Sequence, residues 1–550
     1  MTVAKTWETV RDAKQAEREK RIPAEWRLKE LPKGTNVMDV PRTCGILSDR
    51  EIEITESCAK DLVQAMVDKK YTSEEVTTAF CKRAAIAQQL TNCLTEIFFD
   101  EGIAAARAID EEYARTGKPR GMLHGLPISL KDNIGYIGYD SSVGFVNQCG
   151  NPATEDADSV VSLRRAGAVF YCKTNVPTAM LMADSYNNVW GHTGNPYNTE
   201  FGAGGSSGGE GALLALRGSP LGIGSDIGGS IRIPAAICGI YGLKPAYGRF
   251  SSHGARSGQP GQETIKAVNG PMSPDFSSLE LFTRAILEDK QWERDPWTWP
   301  IPFREEKLPE KLCFGIIMDD GITRPTPCVK RVLEEQARAL IAAGHEVLEY
   351  VPYDVATGRA TTWALLLGDG GFLMRKQVVD APIPEPWPKD LEMFEERYQA
   401  LKDTPPTITQ LWERQLNRSN YLRKFMEDWD ATRKRTGTGR PIDCVIGGVY
   451  PAPASPKLDF VIGANYTMLW NVADFCGVAY RAGFSRADDE IKQMPTDWRN
   501  ADEERLWKQY DTKRLDGMPV GLQLLLPRHH EEKALKLTGV AIDALNKAQK

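Results

Sequence analysis

Short apolar runs alternate along this chain with longer stretches in which apolar residues recur at helical spacing. Leu62, Ala65 and Met66, then Val76, Phe80 and Ala84, follow the 3.6-residue period and predict helices between Thr55 and Thr116, with Ser73, Glu75 and Val76 marking a helix start. Leu126–Leu130 is a compact apolar run ending at Lys131, and Ala168–Cys172 is another, preceded by a helix-like stretch from Asp158 to Arg165. A second half repeats the alternation: Cys313–Ile317 predicts a strand, Pro327–Ala343 a helix, and Val445–Ile446 and Val520–Leu525 late strands. Strands interleaved with helices imply an α/β body with helices on both sheet faces. Residues 1–30 read as a charged helix docked on that body or lying on its surface. Residues 290–310, rich in Trp and Pro, read as a rigid surface connection, and 380–390 and 485–516 as proline-rich or polar excursions. No repeat with a period of about 20–50 residues is present.

Composition narrows the function classes. The chain has 550 residues, a length that does not by itself fix the number of domains. A net charge of −6 offers no basic footprint for nucleic acid. No uncharged apolar run of about 18 residues exists, so no membrane span is expected. The mixed-charge Met1–Lys20 lacks the apolar core of a secretory signal, and the C-terminal residues are not a peroxisomal tripeptide. Eleven cysteines are scattered without a C-x-x-C pair, which fits reduced thiols and a cytoplasmic location. No H-E-x-x-H or similar cluster occurs, and neither a metal nor another cofactor is expected.

The chemistry concentrates in residues 202–245, where glycines are dense but interrupted by apolar segments that require burial. Gly204-Gly205-Ser206-Ser207-Gly208-Gly209 precedes a helical stretch. A phosphate loop would need Gly-Lys-Ser/Thr at its end, and Gly222-Ile223-Gly224 lacks the last glycine of a dinucleotide fingerprint. A nucleophile elbow fits G-x-S-x-G literally, but it requires an apolar strand just before it, and Asn195–Gly202 is polar. Its later histidines include His253 and the pair His529 and His530, which read as a solvated turn. A third reading joins the loop to Ser225-Asp226-Ile227-Gly228-Gly229-Ser230. There the glycines leave backbone N–H groups free to converge beside a serine hydroxyl as an oxyanion hole. A tight turn with a capping serine explains the same residues.

The stretch from Gly204 to Ala235 resembles the signature of the amidase-signature family, most closely its fungal acetamidase-like general amidases. The Gly-Gly-Ser-Ser-Gly-Gly loop is followed without a gap by Gly-x-Gly-x-Asp-x-Gly-x-Ser-Ile-Arg-x-Pro. His124–Asp132, Lys173–Pro177, Gly191–Pro196, Gly239–Pro245 and Gly517–Gln523 are also similar, so the likeness spans most of residues 40–545, densely in 120–250 and sparsely in 290–440.

That resemblance implies one large α/β domain with a mixed, mainly parallel central sheet covered by helices. It would comprise an N-terminal helical arm over 1–50 and a catalytic domain over 51–545, with a signature core at about 120–250 and a variable pocket and cap region at about 290–440. It implies Ser230 as nucleophile, Ser206 as bridging serine held by a cis peptide, and Lys131 as base. Ile227, Gly228, Gly229 and Ser230 would form the oxyanion hole, and Ser207, Asp226 and Arg232 would support them by hydrogen bonds. Met180, through its carbonyl, and Gly204 and Gly205 would face the substrate. His124 and His192 then read as structural hydrogen-bonding residues, since the lysine relay leaves them no proton to carry.

The expected reaction is hydrolysis of small to medium carboxamides, with no partner required beyond the amide itself. The reading leaves open peripheral contact with a membrane surface and a homodimer. A fatty acid amide hydrolase, an indole-3-acetamide hydrolase, a subunit supplying ammonia within a larger complex, and a non-catalytic binding protein are the alternatives. In the sparsely matched region 290–440, Trp387, Met393 and Phe394 would border an apolar acyl channel or belong to the core. Arg481, in a segment more often apolar, would reshape a pocket wall or face solvent.

Overall fold

A computed structural model describes residues 5–461, 463 and 465–548. Its centre is an eleven-stranded sheet made of β1 (Leu94–Ile97), β2 (Pro127–Lys131), β3 (Val169–Thr174), β4 (Gly222–Asp226), β5 (Tyr241–Lys244), β6 (Val268–Ser273), β7 (Cys313–Ile317), β8 (Glu346–Glu349), β9 (Cys444–Gly448), β10 (Cys476–Phe484) and β11 (Pro519–Leu526). Across the sheet the order is β1-β3-β2-β4-β6-β5-β10-β11-β9-β7-β8. Parallel ladders form two flanks, β3-β2-β4 and β9-β7-β8. Antiparallel ladders join them through β6, β5, β10 and β11. The expected mixed sheet is present, with its parallel pairing gathered at the flanks, where helices supply the crossovers that parallel strands need.

Strand β11 shows why helices must cover both faces. Successive residues of a strand point to opposite sides. Leu522, Leu524 and Leu526 join one buried cluster together with residues of the helices Pro327–Ala342 and Glu531–Ala548, whereas Leu525 joins another with Phe425, Met468 and Leu469. Both sets are buried, so Pro519–Leu526 reads as a nearly continuous apolar run, not an alternating one.

The charged N-terminal helix, Trp7–Lys20, is capped by Thr6 and docks on the β1 edge. Arg18 donates to the Leu94 carbonyl at 2.8 Å, and the Lys14 ammonium lies 2.7 Å from Glu96 and 3.1 Å from Asp140. The 485–516 excursion folds back as the helices Ala501–Gln509 and Thr512–Leu515, anchored by buried Glu503, which accepts from the Arg324 and Arg499 backbone. Arg481 is exposed and lies over the Phe484 ring, so of its two expected positions it takes the solvent-facing one. No helix of the described residues is long and apolar enough to cross a membrane.

Candidate active site

Parallel pairing of β2 with β4 brings the carboxyl ends of both strands to one edge of the sheet, with Leu130 abreast of Ile223. Crevices beyond the carboxyl ends of parallel strands are where α/β folds hold ligands. Lys131 ends β2 and Asp226 ends β4. The chain then turns through Ile227–Ile231 into the helix Arg232–Ile237, which carries Ser230 to the same edge. Ser206 arrives from the loop before the helix Gly208–Ala215, after a cis Gly205–Ser206 peptide. At Gly205 a side chain would stand 2.6 Å from the Met182 carbonyl, so only glycine fits that approach.

Lys131 is fully buried. Its Nζ lies 2.7 Å from Ser206 Oγ, 2.8 Å from Ser225 Oγ and 3.3 Å from the Ser225 carbonyl. Burial pushes its pKa down to about 7, against the nearby carboxyls of Asp226, Glu210 and Asp132, which pull it upward. A neutral amine has two N–H groups and one lone pair, which three such partners satisfy. Ser230 and Ser206 line one cavity, but among the described residues no hydrogen bond joins their two hydroxyls.

Asp226 and Arg232 form a fully buried ion pair, with Nε 3.1 Å from Oδ2 and Nη2 3.1 Å from Oδ1. Burial alone would raise the Asp226 pKa, but Arg232, with Lys244 and Asn471, holds it well below the usual carboxylate range. Arg232 also donates to Gln523 at 2.8 Å and Asn471 at 2.6 Å, tying the turn to β11 and to the helix Asn465–Val472. Ser207 braces the other side. Its Oγ sits 3.4 Å from both the Ser225 N–H and the Ser225 carbonyl, and its N–H donates to the Ser230 carbonyl at 3.1 Å.

The turn corrects one part of the expected oxyanion hole. The Gly229 N–H donates to Asp226 Oδ1 at 2.8 Å, because the carboxylate curls back under the turn and captures it. The N–H groups of Ile227, Gly228 and Ser230 donate to no protein acceptor among the described residues and remain the candidate donors. Gly204 is a second correction. It takes φ +78°, a side chain added there would stand 3.1 Å from Pro234, and it lines neither of the two cavities at Ser230, so it shapes the loop.

Two cavities meet at Ser230. One, of about 300 Å³, is lined by Ser206, Ser225 and Ser230 on its inner wall and by Tyr247, Lys266 and Trp297 farther out. The other, of about 40 Å³, is lined by Gly205, Gly228 and apolar side chains that include Phe394. Met180 stands on the wall of both, next to Ala179, and the pair adopts φ of 59° and 60°. Two successive non-glycine residues in that region are uncommon and mark a constrained wall. Of the three residues expected at an apolar channel, Phe394 lines the smaller cavity. It also belongs to the neighbouring core of Val143, Phe145 and Leu391, against which Trp387 and Met393 pack without lining either cavity.

Sequence reasoning missed Ser225 and Glu210. Ser225 stands beside Asp226 in the signature, and its role depends on the Lys131 amine that the neighbouring strand brings to it. Buried Glu210 accepts from Ser129 at 2.7 Å and Thr174 at 3.0 Å, and burial raises it to about 8. A glutamate in the first turn of a glycine-rich helix looks like a solvated cap until the sheet is placed above it. The histidines stay outside the relay. His124 Nδ1 accepts from the Arg120 N–H, His192 Nε2 pairs with Asp184, and His253 is exposed on the cavity's outer wall.

A family model described as Amidase matches residues 75–535. The chain is 36% identical to an acetamidase of Emericella nidulans, over 97% of each chain. It is 35% identical to an acetamidase of Aspergillus oryzae, again over 97% of each. Among solved structures, a fatty acid amide hydrolase superposes with a TM-score of 0.91 at 31% identity, covering 98% of this chain and 95% of that one.

Proposed function

The chain belongs to the amidase family, hydrolases of amide C–N bonds, and we propose that it cleaves small to medium carboxamides through a covalent acyl-enzyme on Ser230. One observation carries the reading: a dry lysine amine 2.7 Å from the Ser206 hydroxyl, with Ser230 on the same cavity wall. A serine hydroxyl is a weak nucleophile near neutral pH and needs a base, and Ser–Lys arrangements meet that need.

In this mechanism neutral Lys131 takes the Ser206 proton while Ser206 takes that of Ser230. Ser230 Oγ bonds to the carbonyl carbon, and the oxygen becomes an oxyanion facing the N–H groups of Ile227, Gly228 and Ser230. Collapse breaks the C–N bond. The departing nitrogen takes a proton from Ser206, which is reprotonated by Lys131, and an ester remains on Ser230. Water then repeats the sequence: its proton passes into the relay, its oxygen joins the acyl carbon, and Ser230 leaves with the returned proton. The Ser206–Ser230 hydroxyl contact is needed only in the Michaelis complex, where catalytic hydrogen bonds tighten.

A panel of acetamide, benzamide, indole-3-acetamide and an N-acylethanolamine, assayed with wild type and Ser230→Ala, tests the reading. Wild type is expected to hydrolyse at least the small amides and to show an acyl adduct by intact mass, and Ser230→Ala to lose both. Carboxamide turnover that survives Ser230→Ala would refute it. A clear preference for the N-acylethanolamine or indole-3-acetamide would replace the small-amide assignment with that alternative.

A further inference from the structure

The N-terminal arm closes over another cavity, which shares no wall residue with the two at Ser230. It is open at one side and holds about 500 Å³, where Arg18, Leu28 and Leu31 of the arm face Leu90, His192 and Lys457 of the body. Clefts of this size at the junction of two parts of a chain are where small molecules commonly bind.

Most polar groups of the wall are spent on the protein. Asn92 gives its amide to the Trp190 and His192 carbonyls, and the Gln88 side chain bonds to Asn92 and to the Leu94 N–H. Three nitrogens are not. Arg18 is 7% exposed, and while Nη1 donates to the Leu94 carbonyl, its Nε meets no acceptor. His192 pairs with Asp184 through Nε2, and its buried Nδ1 has no partner. Lys457 is exposed at the rim, and its ammonium meets no carboxylate among the described residues. Glu19 is the one carboxylate among the described residues of the wall, and it is shared between Arg18 at 3.6 Å and Arg27 at 3.4 Å. A buried guanidinium N–H left without an acceptor is costly. The wall therefore lacks an anion, and its leucines offer apolar surface that a bare inorganic ion would leave uncovered.

One side chain links this cavity to the loop that carries Ser206. Asp184, the partner of His192, packs under the residues that lead to that serine. A side chain at Gly202 would stand 2.3 Å from its Oδ1, and one at Gly205 would stand 2.9 Å from its backbone nitrogen. The next residue, Ser185, donates to the Gly204 carbonyl at 2.9 Å. With the Nε2 proton given to Asp184, Nδ1 carries a lone pair in the neutral ring and an N–H in the imidazolium. An anion beside Nδ1 favours the charged ring, and a charged ring holds Asp184 more strongly.

We infer that the cavity under the arm binds a short-chain carboxylate, its charged end on Arg18, His192 and Lys457 and its chain on the leucines, and that the bound acid acts on Ser206 through His192 and Asp184. Binding rests on the cavity alone, whereas the effect on turnover also rests on Ser206 as a member of the relay. Hydrolysis of a small carboxamide releases an acid of this class, so the site reports product.

Titration calorimetry on full-length Ser230→Ala tests the binding with acetate, butyrate and inorganic phosphate, at an ionic strength held by chloride. Butyrate should bind at one site, at least about threefold more tightly than acetate, because each buried methylene adds affinity. It should also bind more tightly than phosphate. Adding Lys457→Glu, an exposed change that leaves the fold intact, should weaken butyrate at least about tenfold by setting a like charge against the carboxylate. In wild type, saturating butyrate should change kcat for acetamide at least about twofold. The single variant Lys457→Glu should match wild type without butyrate and lose that response. Absent binding, equal affinity with and without Lys457→Glu, or phosphate binding as tightly as butyrate would overturn the site. A rise in KM alone, equal in wild type and Lys457→Glu, would mean that the acid meets only the cavities at Ser230. Butyrate that binds and leaves kcat unchanged would overturn the link to Ser206. Acetamide turnover by Ser230→Ala would sink the relay and that link with it, but not the binding measured on the same protein.

Discussion

Glu210 reaches from the helix Gly208–Ala215 into the sheet and joins Ser129 on β2 to Thr174 on β3. Gly222 on β4 leaves room for it, since a side chain there would stand 2.1 Å from the carboxyl. Burial favours the neutral acid, raising it to about 8. The folded state then holds a proton that the unfolded chain releases near pH 4.3, so this group's stabilisation is complete below about pH 4.3 and is lost as pH rises through about 8. Glu210→Gln, which mimics the neutral acid, should gain stability relative to wild type across that window, read as a rising difference in urea midpoint. Glu210→Ala should lose about 1–3 kcal/mol by leaving the Ser129 hydroxyl without its acceptor. A pH-independent difference for the Gln variant would show that the carboxyl is ionised in the fold. At this scale Lys131, Ser206 and Ser230 were legible because long, gapless motifs surround them. Ser225 and Glu210 were not, since their roles depend on which strand end or sheet interior they meet.

The unit that positions the nucleophile is the turn from β4 into the helix Arg232–Ile237. Its glycines suggest a place where N–H groups gather, but the capture of the Gly229 N–H by Asp226 depends on a side-chain direction that spacing does not encode. Removing the carboxylate leaves the Arg232 charge buried without its partner, a loss typically of about 3–5 kcal/mol. Asp226→Ala should therefore lower the urea midpoint by that equivalent and reduce turnover, because the turn loses its fastening. Asp226→Asn, which keeps the shape but loses the charge, should fall between. An unchanged midpoint in Asp226→Ala would mean that the pair does not hold the turn.

Over the whole molecule, strands β2, β3 and β7 and the helices Asp158–Arg165 and Pro327–Ala342 were predicted nearly to the residue, because both faces of the sheet are covered and the strands read as bare apolar runs. Short β1, β5, β6 and β8 escaped notice, as did the 24-residue helix Ile408–Ala431, whose mixed polar surface blurs its apolar period. We propose that the N-terminal arm is a brace for the catalytic body. Lys14 meets Glu96 and Asp140, and the neighbouring 140–143 segment supplies the Val143 N–H to Asp132, next to Lys131. Lys14→Met should strand two largely buried carboxylates, destabilise the fold by about 3 kcal/mol or more and expose the arm to limited proteolysis. Wild-type protease resistance in that variant would argue that the helix adds little.

The claim on which all of this depends is that a lysine without its proton drives the serine pair. The rate at which a fluorophosphonate labels Ser230, followed by intact mass against pH, reads that step without product release. In wild type the rate should rise with pH through a single ionisation near 7, where Lys131 loses its proton, and then level off. Lys131→Ala should be slower by about 10²–10⁴-fold, with that ionisation gone. Labelling of Lys131→Ala at close to the wild-type rate, with the same rise near pH 7, would contradict the account.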